Sequence, residues 1–250
     1  MPDPRKHHYV PEFYLRNFSK NEKLEVFDLQ KRSFRPSTPN NEAHIRDFYR
    51  LDNDPETPDQ FEVETKFLPE IEGKAKIIID GIIEKKTLPP ENSEEYAFLC
   101  IFIGLSFGRT PATRRLFSDI LDQIWHFKVQ ILADLGPEGL EKLAEDRKIP
   151  KEHRVSFEDV QSLAASGSVR LEMNQGYVVG ETLSMGVKMA ELLSQRRWQV
   201  LITPLSALVT SDRPVLLQNT NPEISGPPGF ALANTVVQIP LASSISLLGT

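Results

Sequence analysis

Nine consecutive apolar residues, 97–105, constrain this chain more than any other stretch. The run is too short to cross a membrane, which takes about 20 residues. It also lacks the polar face of a surface helix. It therefore predicts a helix over residues 94–108 that is apolar nearly all round and lies at the centre of a bundle. The preceding Leu88-Pro89-Pro90-Glu91-Asn92-Ser93-Glu94 breaks the chain and offers N-cap residues. Gly108-Arg109-Thr110-Pro111 punctuates its end.

Around this helix the periodicity changes twice. Phe67, Ile71, Ala75, Ile78 and Ile82 form one helical stripe, with Pro69 marking a kink or a first turn. Residues 112–135 read as an amphipathic helix through Leu116, Ile120, Ile124, Phe127 and Ile131. Residues 139–148 and 157–165 read as smaller, more polar helices, the second with Ser156 and Asp159 as a capping pair. Val179, Leu183, Val187, Ala190 and Leu193 form a last helical stripe. On the N-terminal side, Pro11 opens a short helix in which Tyr14 and Phe18 share a face. Residues 24–29, 33–35 and 44–51 read as extended. On the C-terminal side, 198–202, 207–210, 214–217, 235–239 and 244–248 read as strands.

Strands, then helices, then strands is the order of an α+β fold. The expected architecture is a central helical bundle packed with a mostly antiparallel sheet formed from N- and C-terminal strands. Residues 1–250 make a single domain, with 136–176 as a helical insertion. The chain stops at Gly249-Thr250 directly after an apolar strand. That fits either a central final strand or an incomplete C-terminus.

Apolar residues make up 40% of the 250 and charged residues 26%, the profile of a soluble globular protein. The first six residues lack the apolar core of a secretory signal. The single cysteine, Cys100, lies inside the apolar run and reads as a core residue. It excludes an internal disulfide framework and a multi-cysteine zinc site. The expected location is cytoplasmic, without membrane contact. A net charge of −6 argues against broad non-specific nucleic-acid binding and leaves room for a local basic cleft.

The candidate chemistry is sparse. His7 and His8 are adjacent, and adjacent strand residues point to opposite faces, so at most one faces a site. The structural alternative is two histidines bonded to loops. On a continuous helix Glu64 aligns with Ile71 and Ile78 on the core face, with Glu72 at its edge. A buried carboxylate must be paired, metal-bound or protonated. Such a residue serves acid–base or metal chemistry, or it pairs with an internal arginine. Arg109, Arg114 and Arg115 follow the buried helix. An arginine there either holds a phosphate or carboxylate by its planar fork or offsets the negative helix end. An Arg109–Glu72 pair would answer both structural readings. Thr210-Ser211-Asp212-Arg213-Pro214 is an ordinary turn, or it places Asp212 in a cleft. No P-loop, Gly-x-Gly-x-x-Gly or His-Glu-x-x-His pattern occurs, which argues against nucleotide-dependent mechanisms.

The opening His7-His8-Tyr9-Val10-Pro11-Glu12-Phe13-Tyr14-Leu15-Arg16-Asn17-Phe18 resembles the hallmark of domain-of-unknown-function family 4238, found mainly in bacteria. Further pieces match in order: Arg46-Asp47-Phe48-Tyr49, Ile71-Glu72-Gly73-Lys74-Ala75, Arg109-Thr110-Pro111 with Arg114, and Trp198 followed by Thr210 to Val215. The resemblance covers nearly the whole chain, and members often continue past this C-terminus. It implies that His7, His8, Glu72, Arg109 and Asp212 belong to a shared pattern. The family carries no established activity.

Two readings follow. In the first, the chain is a hydrolase acting on a phosphodiester or other anionic substrate, nuclease-like. His7 or His8 is the base or metal ligand, and Arg109 holds the anion. Glu72 and Asp212 polarise water or bind a divalent cation, with His8, Glu72 and Asp212 as the metal set. Nucleic acid is the partner this reading admits. In the second, the chain is a binding or regulatory module whose polar motifs form a structural network. A site requires the five residues to converge on a cleft. A network requires a buried Glu72–Arg109 pair with the histidines remote.

Overall fold

The apolar run forms α3, Glu94–Gly108, in a computed structural model that describes residues 5–51, 59–166, 171–221, 223 and 226–250. Ser93 caps it, its Oγ accepting from the Tyr96 N–H at 3.1 Å. Leu99, Phe102, Ile103 and Leu105 are fully buried, as is Cys100. Two other helices flank α3: α2, Leu68–Lys85, and α7, Gln175–Ser194. The approach of α7 is backbone to backbone. A Cβ on Gly104 would collide with the Gly186 carbonyl oxygen, and one on Gly108 would lie 2.5 Å from the Thr182 oxygen. Glycine is required at this crossing because nothing larger fits.

The chain divides into two compact units. The first takes residues up to Arg114 together with Gln175–Thr250. The second, Arg115–Asn174, holds most of α4, Pro111–Asp134, with α5, Gly136–Asp146, and α6, Phe157–Ser166. Here the capping pair forms as the sequence indicates: Ser156 Oγ accepts from the Asp159 N–H at 3.1 Å and donates to Asp159 Oδ2 at 2.7 Å.

All strand pairing in the first unit is antiparallel, so the α+β class holds. The strands of the two chain ends nevertheless pair separately. β1, Lys6–His8, pairs with β4, His44–Arg46. β2, Leu24–Asp28, forms a hairpin with β3, Ser33–Ser37. β5, Trp198–Ile202, β6, Leu216–Asn219, β7, Thr235–Ala242, and β8, Ile245–Gly249, build a four-stranded sheet in the order β5-β8-β7-β6. The N-terminal strands are three to five residues long and find partners locally.

Side chains of α1, Glu12–Arg16, and the residue after it join the two ends instead. Tyr14 Oη donates to the Pro240 carbonyl at 2.5 Å and lies 3.0 Å from Thr210 Oγ1. Asn17 Nδ2 donates to the Leu241 carbonyl at 3.0 Å. The Tyr14 and Phe18 rings lie 5.4 Å apart, and Tyr14 also packs on Phe102 of α3.

Two predicted strands are corrected. The extended reading of 44–51 ends at Arg46, because Asp47 takes a positive φ of 56° and its carboxylate pairs with Arg5 at 3.1 Å. Residues 207–210 form no strand; Val209 is 81% exposed and has no sheet to pack on. The following strand begins at Leu216, two residues later than its apolar run. Among the described residues no helix is long and apolar enough to cross a membrane.

Candidate functional site around Tyr49

The joint between α3 and α4 sets two arginines. Arg109 is the C-cap of α3. Thr110 caps α4, its Oγ1 accepting from the Thr113 N–H at 3.2 Å, and Pro111 opens that helix. Thr113 Oγ1 also donates to the Phe107 carbonyl at 2.7 Å. Arg109 and Thr110 alone separate the two helices.

Arg109 is 1% exposed. Its Nη1 donates to Glu72 Oε1 at 2.7 Å. The Glu72 side chain is 27% exposed, so the pair lies at the edge of the interior. Arg114 donates from Nη1 to the Phe48 carbonyl at 2.6 Å. Its guanidinium carbon lies 3.3 Å from the Phe48 ring centroid and 5.1 Å from that of Tyr49. In both arginines Nε and Nη2 are buried without a hydrogen-bond partner. These two nitrogens form one edge of the guanidinium plane, the fork that grips an oxyanion bidentately.

Glu64 reaches the site through a helical irregularity. Residues Val63–Phe67 make a π-helical turn that runs into α2, and Pro69 lies at the start of α2. A proline ring clashes with the carbonyl four residues earlier in a regular helix, and the wider turn relieves that clash. The extra residue also resets the phase. Eight regular helical residues leave two side chains roughly 80° out of line, whereas about seven effective residues bring them within roughly 20°. Glu64 thereby comes to the face of Glu72. Burial first, and then the Glu72 carboxylate, push Glu64 up to about 8. Arg109 and the His8 backbone N–H offset only part of this. Glu64 is a neutral acid at pH 7.

Tyr49 is the hub. It is fully buried, and burial raises its phenol above the ordinary range. Its hydroxyl feels the charges of Arg109, Arg114, Glu64 and Glu72. It lies within reach of two carbonyls, Arg109 O at 3.4 Å and His8 O at 3.5 Å. Its backbone N–H donates to His7 Nδ1 at 2.7 Å, and the two rings stack with centroids 5.6 Å apart. His7 Nδ1 is therefore an acceptor, which puts the ring proton on Nε2.

The two histidines part as strand geometry requires. His7 is buried against Tyr49 and Phe61. His8 faces the other way, its Nε2 3.1 Å from the Asn40 carbonyl and its ring 5.5 Å from that of His44. Burial lowers its pKa from the ordinary imidazole value. Asp212 is exposed in the segment before β6, where its charge helps raise the Tyr9 phenol after burial. Thus the structure gathers His7, Glu64, Glu72 and Arg109 around Tyr49 and turns the His8 side chain to Asn40 and His44. Among the described residues no three His, Cys, Asp or Glu side chains are placed to hold a metal ion, the set His8, Glu72 and Asp212 included. Sequence reasoning missed Tyr49 and Phe48 as site residues. Their only signal was membership in the Arg46-Asp47-Phe48-Tyr49 pattern.

The residues that build this arrangement span the family pattern from its first strand to the α3–α4 corner. A family model described as protein of unknown function, DUF4238, matches residues 6–250. The chain belongs to the DUF4238 family. No curated protein and no solved structure gives a significant match. The DUF4238 match takes in every residue of the Tyr49 cluster, from His7 to Arg114.

Proposed function

We propose that the chain is a hydrolase of an anionic ester, with a phosphodiester as the substrate class. One observation carries this reading: the buried fork of Arg109 has no acceptor, and a carboxylic acid neutral at pH 7 lies beside it. An unmade hydrogen bond from a buried charged donor costs about 1–3 kcal/mol or more. Burial removes bulk water as the acceptor, so an oxyanion from outside the chain suits the fork. The charges agree. Arg109 and Glu72 cancel, Glu64 is neutral, and Arg114 stays cationic although burial lowers it to about 10. The surplus is one positive charge, which favours an anionic substrate.

In this mechanism Arg109 grips the phosphoryl oxygens. Water attacks phosphorus as the bond to the leaving oxygen breaks. Glu64 gives its proton to that oxygen, and the proton released by the water restores Glu64. A raised carboxyl pKa suits a general acid working near neutrality. Glu72 acts as a positioning residue by holding Nη1 of Arg109.

The test is cleavage of bis(p-nitrophenyl) phosphate and of end-labelled single-stranded DNA and RNA. Glu64→Gln should reduce the rate at least a hundredfold, within the usual range for losing a general acid, with a Tm no lower than that of the wild type at pH 6. No cleavage by the wild type, or full activity in Glu64→Gln, overturns the reading. A second reading rests on the Glu72–Arg109 pair and the His7–Tyr49 bond: a structural network serving a binding or regulatory module. It gains if the wild type is inactive and Arg109→Lys lowers Tm while affecting no ligand.

A further inference from the structure

The mechanism above uses one arginine fork, and the cluster contains two. Arg114 repeats the arrangement of Arg109: Nη1 is anchored to protein, while Nε and Nη2 are buried and without an acceptor. The anchor differs. Arg109 is held by a carboxylate, which cancels its charge, whereas Arg114 is held by a neutral carbonyl and the face of Phe48. A carbonyl and an aromatic ring fix the guanidinium plane and leave its full charge available. Phe48 is itself braced by Tyr49, 5.0 Å away, and by Tyr9, 6.0 Å away. The Arg114 guanidinium lies 5.1 Å from the Tyr49 ring and the Tyr49 hydroxyl lies 3.4 Å from the Arg109 carbonyl, so the two arginines flank one tyrosine.

We infer that Arg114 holds a second phosphoryl group of the same substrate, beside the one held by Arg109. This rests on the anionic-ester reading and names its substrate class: a molecule with two neighbouring phosphoryl groups. Two sources supply that chemistry, a diphosphate linkage and successive phosphates of an oligonucleotide. A Glu64 acid next to two forks would cut the link at one phosphate while the other anchors the molecule. Arg114 is then a specificity-determining residue.

Binding is measured by calorimetry at low salt, with three probes: inorganic phosphate, inorganic pyrophosphate and the 5′-phosphorylated dinucleotide pUpU. Wild type should bind at least one two-phosphoryl probe tenfold or more tightly than phosphate. Pyrophosphate as that probe indicates a diphosphate source, and pUpU a strand. Arg114→Lys keeps the charge and removes the fork, and should erase the preference. Phe48→Leu keeps the fork and removes its platform, and should reduce the preference severalfold. Equal affinity for all three probes overturns the inference, as does a preference untouched in both variants. Cleavage plays no part in this readout. Inactivity towards esters with the preference intact sinks the hydrolase reading alone, and activity without the preference sinks the inference alone.

Discussion

Arg109 gives one nitrogen to Glu72 at 2.7 Å and keeps Nε and Nη2, the opposite edge of its guanidinium, buried without an acceptor. The ion pair is thus a mount as well as a contact. Removing Arg109 should expose how much of the first unit depends on it. Arg109→Leu is expected to cost about 3 kcal/mol, the low end for a broken buried pair, because Glu72 retains some solvent. Arg109→Leu with Glu72→Leu should recover part of that loss in urea unfolding. Additive losses would show that the pair is uncoupled.

Glu64 makes stability depend on pH with a definite sign. Its folded pKa of about 8 stands above the ordinary value of 4.5. The folded chain therefore holds a proton that the unfolded chain has lost between these values. The stabilisation is whole below pH 4.5 and is lost as pH rises to 8. Glu64→Gln mimics the neutral acid. Its Tm should equal that of the wild type near pH 5 and exceed it near pH 9. A constant difference across this range would contradict the raised pKa. Catalysis by Glu64 as an acid should fall over the same upper limb.

His7 Nδ1 accepts from the buried Tyr49 N–H. His7→Phe should cost about 1–3 kcal/mol, the penalty of an orphaned buried donor plus any repacking. Asn carries a carbonyl oxygen close to the position of Nδ1, so His7→Asn should recover part of the loss. Chemical denaturation of the three proteins checks the order.

Asp212 is exposed, and among the described residues it joins no group of three His, Cys, Asp or Glu side chains placed to hold a metal ion. Asp212→Ala should shift stability by less than about 0.5 kcal/mol. Thermal shifts with Mg²⁺, Mn²⁺, Zn²⁺ and Ca²⁺ should match between this variant and the wild type. An ion whose stabilisation disappears with Asp212 would restore it to a metal set.

Legibility followed the physics of each element. The 97–105 run and the stripe through Ile71, Ala75 and Ile78 give α3 and α2 because helix burial imprints a period on sequence. The same signal locates α4 but not its burial: Leu116 and Phe127 of its stripe remain exposed. β1 was less visible as a strand, since Lys6-His7-His8 has no apolar alternation and owes its state to pairing with β4. In the site, Glu72 and Arg109 were legible because a carboxylate at the edge of an apolar stripe needs a partner. Tyr49 was not, because its role comes from tertiary packing of four distant segments. The phase of Glu64 was misread by one residue, since sequence periodicity assumes a regular helix and the π-turn before Pro69 is not one.

The glycine seam between α3 and α7 bears on the site at its far end. Gly108 is the last residue of α3, and Arg109 follows it directly. The depth at which α3 rests on α7 therefore gauges where the Arg109 guanidinium stops. A methyl group added at Gly186 would meet the Gly104 oxygen at 2.9 Å and wedge the two backbones apart. The wedge would lift the mount of Glu72 without altering any side chain of the cluster. Sequence drift in α7 is then limited less by the greasiness of its face than by the tolerance of an arginine on another helix.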